Sequence, residues 1–328
     1  RLAIVFNGSP LFTGGAGSGE SEIRRWIIES DMLEAVVALP DQLFYNTGIS
    51  TYFWVVTNRK APQRRGKVQL IDARESFTKM RRSLGEKRKE ISDAQIDEIT
   101  RPYGTFEEGP RVKIFHNESF GFLRITVERP LRLRWEITDR TLTAVKADKS
   151  VGKLDDLLLE ALLEALLHRE GSVYSSEESA KSAVQEALVS ANGVNSAAIV
   201  KAVTNALAVR DPDAPVVTDR AGDPKPDPSL RDYENVPLPA VRVTFEAEPA
   251  SRLASIDYRT AIDDYLETEV CPYVPDVWCD PKKVKISYEI PLTRYFYSYI
   301  LPRPLDEIDS EIKTLEGELQ VLISELEA

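Results

Sequence analysis

A run of basic side chains lies between residues 59 and 89. This stretch holds twelve Lys and Arg residues against three acids, although the whole chain of 328 residues carries a net charge of −11. Long cationic side chains neutralise phosphates without reading a base sequence. The residues that could bind a polyanion in this way are Arg74, Lys79, Arg81, Arg82, Lys87, Arg88 and Lys89. A solvated face with no ligand explains the same charges equally well.

The acidic side chains are concentrated elsewhere. Residues 306–327 contain eight carboxylates and a single Lys, Lys313. The overall negative charge excludes a protein whose entire surface binds nucleic acid, because phosphate binding needs clustered cations. The asymmetry suggests that one segment faces a polyanion and the other faces a protein partner or solvent.

Two further groups of residues invite a chemical interpretation. The glycine-rich stretch at residues 14–19 resembles a phosphate cradle, but it lacks the Lys-Ser/Thr of a P-loop and the dinucleotide-binding spacing. A flexible loop with Ser18 or Ser21 near a helix N-terminus is the preferred interpretation. The two cysteines and two histidines are too few and too scattered for a metal site or a disulfide framework, so we expect no bound metal.

The first eighty residues alternate between strand and helix patterns. Apolar runs predict a buried strand at residues 2–6 and further strands at 36–39, 49–57 and 68–72, and apolar spacing predicts a helix from about 20 to 30. This rhythm fits the second half of an open α/β sheet. Because residue 1 already lies in a predicted strand, we expect the chain to be the C-terminal part of a larger protein. Without the rest of the sheet, one strand edge should be exposed and unpaired.

Four segments together resemble one family. They are residues 38–51 (ALPDQLFYNTGIST), residues 70–74 with the basic run behind them, residues 125–131, and residues 288–305. They resemble the later motifs of the DNA adenine-N-6 methyltransferase subunits, called modification or M subunits, of type I restriction-modification systems. The resemblance runs through most of the chain and is weakest from about residue 138 to 261.

The resemblance implies an activity and also implies that part of its machinery is missing. In this family S-adenosylmethionine binds a glycine-rich loop after the first strand, and an Asn-Pro-Pro-aromatic motif holds the target amino group. The sequence contains no Asn-Pro-Pro or Asp-Pro-Pro. We therefore expect the main donor site to lie in an absent N-terminal part, no catalytic residue to lie in this chain, and the chain alone to be inactive.

The resemblance also implies which residues face the target base. A methyltransferase that acts on duplex DNA flips the base into a pocket and stacks it on aromatic side chains. Phe44 occupies the matching position, with Tyr45 as the second candidate, although Phe44 could instead simply plug the end of the sheet. Asn46 and Thr47 could position the backbone near the target, but an Asx-type turn ahead of Gly48 is preferred.

The last segment of the chain predicts a helix that needs a partner. Apolar residues recur at alternating spacings of four and three, which is typical of a coiled-coil seam: Ile308, Ile312, Leu315, Leu319, Leu322 and Leu326. Packing of this helix on its own domain remains the alternative. In the family resembled, the C-terminal helices of the M subunit join the specificity (S) subunit. The implied partners are DNA, the S subunit, a second M subunit and the restriction (R) subunit, in the cytoplasm and without a membrane.

The predicted fold class is α/β, with the second half of a class I (Rossmann-like) methyltransferase sheet followed by a mostly helical C-terminal region that ends in a coiled-coil-type helix. The alternative function is a non-catalytic module that binds the DNA backbone and docks a specificity subunit. Five consecutive regions are expected: the half methyltransferase domain (1–78), a basic helical and strand extension (79–137), a helical subdomain (138–210), a proline-rich linker (211–250) and a C-terminal helical region (251–328).

Overall fold

The computed structural model describes residues 1–192, 196–299 and 301–327, with side chains up to residue 324. Its helices are α1 (Gly19–Glu29), α2 (Asp93–Thr105), α3 (Asp139–Ala147), α4 (Asp156–Leu167), α5 (Glu177–Ser190), α6 (Ala197–Ala206), α7 (Ala250–Leu253), α8 (Ile256–Tyr265), α9 (Leu292–Tyr295) and α10 (Leu305–Glu327). Its strands are β1 (Leu2–Asn7), β2 (Leu33–Ala38), β3 (Thr51–Val56), β4 (Lys67–Asp72), β5 (Thr78–Leu84), β6 (Lys87–Glu90), β7 (Val112–His116), β8 (Gly121–Glu128), β9 (Leu133–Glu136), β10 (Val173–Tyr174), β11 (Ala208–Arg210), β12 (Asp232–Pro237), β13 (Trp278–Cys279) and β14 (Lys285–Tyr288).

These elements form two compact units, each built from separated parts of the chain. The first unit comprises Arg1–Thr13, Asp31–His116 and Glu289–Ala328, and the second comprises Gly14–Ser30 and Asn117–Tyr288. Consecutive regions were expected from the sequence. The units interleave instead because elements far apart in sequence pair within each of them, as the following contacts illustrate.

The first unit is organised around a five-stranded mixed sheet in the order β1-β3-β2-β4-β7. β2 and β4 run parallel, and the other neighbours run antiparallel. The three strands predicted at 36–39, 49–57 and 68–72 are present as β2, β3 and β4, and every residue of β2 is buried. The α/β class is therefore confirmed for this unit.

The first strand is present but is not buried as predicted. All six residues of β1 are exposed, because β1 lies at the edge of the sheet and pairs with β3 alone within the described part of the chain. An apolar sequence alone does not bury a strand. Burial also requires other helices or strands that pack over its faces, and the sequence of the strand does not reveal whether these are present.

The basic segment forms a hairpin, whereas a partly helical segment was predicted. β5 and β6 pair antiparallel, with Leu84 opposite Lys87 across a two-residue turn. Gly85 in this turn has a φ of +58°, a conformation that favours glycine. The helix α2 begins only after the hairpin, where Ser92 and Gln95 form a reciprocal capping box.

The second unit contains an antiparallel sheet around β8. β12 lies on one side of β8, while β13 and β14 both pair with β8 from the C-terminal region. Two predictions from sequence need correction here. Residues 211–250 are not a plain linker, since they supply β12, and residues 251–328 are not simply helical, since they supply β13 and β14. Strands this short leave too little period-2 pattern to be recognised beside prolines.

Four helices, α3 to α6, lie within residues 138–210 of the second unit, the range in which a helical subdomain was predicted. Helices α3 to α6 enclose one apolar core that includes Leu162, Leu166, Val184 and Val203. The sequence pattern of residues 177–190 by itself also predicts a helix, and α5 has those bounds. A small three-stranded sheet in the order β10-β9-β11 adds Trp135 to the same core.

Helix α1 has the predicted position but packs in the second unit. Ser21 Oγ lies 2.9 Å from Ser287 Oγ, and the Arg24 side chain donates to the carbonyl of Tyr288 at the end of β14. Glu29, which is fully buried, forms ion pairs with Arg25 at 3.1 Å and with Arg252 at 2.8 Å. The helix is therefore fixed by charged and polar groups from the other end of the chain.

Candidate nucleic-acid interface

The segment between β2 and β3 forms a tight loop, residues 39–50, which we call the aromatic loop. Leu39 N–H donates to Thr51 O at 2.9 Å and closes its base. Phe44 and Thr47 form an isolated antiparallel bridge that leaves Tyr45 and Asn46 at the tip. Thr47 Oγ1 accepts from the N–H of Ile49 at 3.4 Å. Thr47 thus makes a local turn contact of the kind expected from the sequence.

Phe44 is half-buried and lines an apolar cavity of about 750 Å³ within the first unit. The other walls come from β1, β2, β3 and α2, with side chains such as Val5, Val37, Phe53 and Ile99. A volume of this size lies in the range of sites that bind small organic ligands, ~300–1,000 Å³. Phe44 therefore lines an apolar space that is large enough for an aromatic base.

Tyr45 has a different environment from its neighbour. Its side chain is 68% exposed, and Asn46 beside it is also exposed. The Tyr45 carbonyl accepts a hydrogen bond from Glu86 N–H at 3.1 Å. A Cβ built on Gly85 would lie 3.5 Å from the Tyr45 ring and 2.8 Å from its carbonyl oxygen, so only glycine allows this close approach. The two adjacent aromatics therefore face different surroundings.

The aromatic loop and the β5–β6 hairpin are joined by several bonds. The carbonyl of Gln42 accepts from the N–H groups of Arg88 at 2.9 Å and Lys89 at 3.2 Å. The Lys89 ammonium forms an ion pair with Asp41 and also lies 3.8 Å from the centre of the Phe77 ring. The loop and the hairpin thus form one continuous structure, which we call the loop–hairpin surface.

Two of the seven predicted phosphate-binding cations are engaged within the first unit. Arg74 Nη2 lies 2.7 Å from Asp72 Oδ2. Burial acts to raise the pKa of the Asp72 carboxyl, but the hydrogen bonds and charge of Arg74 outweigh it and hold that pKa below its usual value. Lys89 is the second, through Asp41. The remaining five make no ion pair with the described part of the chain: Lys79, Arg81, Arg82, Lys87 and Arg88.

The glycine-rich stretch leads into the N-terminus of α1. Ser18 is the N-cap of α1, and its Oγ accepts from Ser21 N–H at 3.5 Å, as the sequence suggested. A Cβ built on Gly17 would lie 3.2 Å from the Lys285 side chain, so the loop packs against that side chain. The loop therefore serves as a helix cap.

Other reactive groups offer little chemistry. Burial raises the pKa of the Cys279 thiol to about 11, so this cysteine is a poor nucleophile at neutral pH. Among the residues that the structure describes, no group of three or more His, Cys, Asp or Glu side chains is placed to hold a metal ion. The loop–hairpin surface brings exposed cations and aromatic side chains together, and it is the candidate site in the first unit.

The seam of the C-terminal helix is exposed. Ile312, Leu315, Leu319 and Leu322 are between 48% and 60% exposed along α10, and Ile308 is half-exposed. The side chain of Leu326 lies outside the described residues. None of the helices in the described part of the chain combines the length and apolar character that a membrane crossing requires.

Sequence reasoning treated the aromatic and basic residues as separate sites and missed what joins them. The bond from Glu86 to Tyr45 and the ion pair between Lys89 and Asp41 depend on the hairpin, which was not predicted. Leu84, exposed at the hairpin turn, was also not singled out. The Leu-Gly-Glu sequence between two basic runs was the available signal, since a glycine between strands favours a turn.

Comparison with known proteins gives a consistent result. The sequence model of the N-6 DNA methylase family matches residues 1–119. A methylase subunit of the type I restriction enzyme MjaVIII from Methanocaldococcus jannaschii is 32% identical over 108 residues, which is 33% of this chain and 18% of the relative. The HindI methylase subunit of Haemophilus influenzae is 47% identical over 58 residues, which is 18% of this chain and 13% of that subunit.

Solved structures include the methyltransferase subunit of a type I restriction-modification system from Streptococcus thermophilus. It is 26% identical, with a TM-score of 0.31, and the match covers 36% of this chain and 23% of that one. This chain spans about a fifth of the length of the curated relatives it matches. Residues 1–119 therefore match the sequence model of the N-6 DNA methylase family, and the chain is similar there to methylase subunits of type I restriction enzymes.

Proposed function

We propose that this chain is part of a site-specific DNA adenine-N-6 methyltransferase, the M subunit of a type I restriction-modification system, which transfers a methyl group from S-adenosylmethionine to adenine in DNA. The observation that carries the proposal is the joining of the aromatic loop to the basic hairpin. A base-flipping enzyme needs an aromatic wall for the base and cations for the flanking backbone, and here the two lie on one surface. The main donor site and the catalytic motif lie outside this chain, which is inactive alone.

Each part of the loop–hairpin surface has a role in this proposal. Phe44 forms the wall on which the flipped adenine stacks, and its place beside the apolar cavity supports this role. Thr47 holds the turn, and Asn46 is positioned near the target nucleotide. The five cations without internal ion pairs in the described chain clamp the DNA backbone. Backbone contacts suffice, since the specificity subunit reads the sequence.

The role of Phe44 is tested by substitution in the full-length subunit assembled with its specificity subunit. Base–aromatic stacking is worth about 1–3 kcal/mol per base, so Phe44→Ala lowers the methylation rate by about 5- to 150-fold, while Phe44→Tyr retains most of it. Phe12→Ala is the control, since Phe12 is a 55% exposed aromatic of the same unit outside the aromatic loop. An unchanged rate for Phe44→Ala contradicts the stacking role.

The second part of the proposal assigns α10 to assembly with the specificity subunit. Its exposed apolar seam, flanked by acidic residues, supports a hetero-association with a basic or neutral helix, because an identical parallel copy would be repelled. This seam also favours the alternative function, a docking module without a catalytic role of its own.

The assembly role is tested by placing charges on and off the seam. Leu315→Asp disrupts association with the specificity subunit in a pull-down or by mass photometry. Val321→Asp is the matched control, because Val321 and Leu315 are both 57% exposed but Val321 lies off the seam. Equal association of the two variants contradicts the assignment of the seam. Full association with loss of methylation in the Phe44→Ala variant separates the enzyme from the docking module.

A further inference from the structure

Two exposed side chains lie at the turn of the β5–β6 hairpin, Leu84 from the hairpin and Tyr45 from the aromatic loop. Leu84, the last residue of β5, is 54% exposed, and Tyr45 is 68% exposed. The Tyr45 ring lies against the backbone of Gly85, where a Cβ would approach it to 3.5 Å. The hydrogen bond from Glu86 N–H to Tyr45 O fixes the two turns against each other. This pair, Tyr45 and Leu84, is here called the tip pair.

The tip pair differs in its surroundings from an ordinary exposed leucine. Single apolar residues are common on protein surfaces and do not by themselves indicate a binding site. Leu84 precedes the turn formed by Gly85 and Glu86, and Tyr45 lies against this turn. Residues 81–88, the turn and the strand ends beside it, carry four cations, Arg81, Arg82, Lys87 and Arg88, against the single acid Glu86. An apolar point flanked by an excess of cations is complementary to duplex DNA, whose phosphates lie outside and whose base stack lies inside.

We infer that the tip pair is a wedge that enters the base stack of duplex DNA at an opened step, with the surrounding cations on the flanking phosphates. The inference rests on the proposed function and adds to it the residues that fill the gap. A flipped base leaves a hole in the stack, and proteins that unstack DNA insert apolar side chains such as Leu into the opened step. Leu84 supplies the aliphatic wedge, and Tyr45 supplies a ring that stacks on a neighbouring base.

Phe44 and Tyr45 have different roles in this proposal because their environments differ. Phe44 lines the apolar cavity, where the extruded base would go, while Tyr45 next to it lies at the hairpin turn. The Phe44–Thr47 bridge holds both side chains on the same rigid turn. Entry of the wedge into the stack and stacking of the base on Phe44 are therefore coupled through one short loop.

The wedge is tested with this chain and two short duplexes of the same sequence, one intact and one with a single abasic site. The abasic duplex has already lost a base from its stack, so the unstacking cost of a few kcal/mol is largely removed, and the chain binds it about tenfold more tightly. Leu84→Ser and Tyr45→Ser each reduce this preference to about twofold or less. Leu157→Ser keeps it, since Leu157 is 80% exposed on α4 outside the surface.

The result that overturns the wedge differs from the result that overturns the proposed function. If Leu84→Ser and Tyr45→Ser keep the tenfold preference while the salt dependence of binding is normal, the wedge is refuted and the backbone clamp stands. If the wild-type chain binds neither duplex with a salt-dependent affinity, the DNA-binding part of the proposed function fails, and the wedge fails with it. Loss of the preference with unchanged salt dependence supports both.

Discussion

We predict that neutralising the hairpin cations changes the salt dependence of DNA binding, by an amount that follows from the number of cations without an internal ion pair. Five cations make no ion pair with the described part of the chain, whereas Arg74 and Lys89 are paired with Asp72 and Asp41. Only a cation that is not already neutralised releases a counterion from DNA. The four at the hairpin tip are replaced together by glutamine: Arg81, Arg82, Lys87 and Arg88.

The expected magnitude follows from the number of phosphates contacted. With five contacts, the slope of log K against log salt is about −4.5, so affinity falls about 500-fold between 50 and 200 mM salt. With Lys79 alone remaining, the slope is about −0.9 and affinity falls about 3.5-fold over the same range. The variant is therefore weaker at low salt and almost indifferent to salt.

Fluorescence anisotropy with a labelled duplex at several salt concentrations measures both slopes. Arg74→Gln and Arg81→Gln form a matched pair of single substitutions, because both remove one guanidinium but only Arg74 is paired within the protein. Arg81→Gln reduces the slope by about 0.9, and Arg74→Gln changes it by clearly less. A quadruple variant with the wild-type slope would refute the clamp, and equal slopes for the two single variants would refute the distinction between paired and available cations.

Two further predictions concern the stability of the second unit. The pKa of Asp227 is held at about 2, because hydrogen bonds from Arg210 and Ser229 outweigh the burial that would raise it. This folded-state pKa lies below the unfolded value, so the contribution of about 1–2 kcal/mol is present above pH 4 and is lost as the pH falls towards 2. In urea melts Asp227→Asn is less stable than wild type at pH 7, and the difference shrinks near pH 2; a constant difference argues against this linkage. Gly121→Ala lowers the midpoint of thermal unfolding, since the new methyl would lie 2.2 Å from Leu238 Cδ1 and overpacking costs about 1–3 kcal/mol. Gly152→Ala, in the same unit and with open space around it, does not.

Much of the first unit could be predicted from local sequence. The runs of β-branched and apolar residues that became β2, β3 and β4 have no competing pattern, and each strand was found within a few residues of its predicted bounds. Helix α5, in the second unit, also has its predicted bounds, because its alanines and its N-cap residue Ser176 favour a helix whatever the tertiary contacts. In these elements the local preference and the tertiary contacts agree.

The hairpin and the grouping of the units could not be predicted in the same way. The residues of β5 and β6 are mostly exposed and charged, so no apolar period distinguishes a strand from a helix. The amphipathic sequence of α1 does not indicate which of the two units the helix packs in. Its buried Arg24 donates to Tyr288 O, a group 264 positions away that no local pattern reveals. For the same reason the aromatic loop could be recognised from its sequence while its attachment to the hairpin could not.

The interleaving of the two units means that neither can be completed from one continuous stretch of the chain. The polypeptide passes from one unit to the other four times, after Thr13, Ser30, His116 and Tyr288. The N–H of Ile290 donates to the carbonyl of Leu11 at 2.9 Å. During synthesis on the ribosome, this contact within the first unit cannot form until residue 290 has been made. Contacts of such long sequence separation slow folding. A cut at any one point therefore leaves at least one unit incomplete, and pieces for separate expression have to be designed by rejoining segments instead of by truncation.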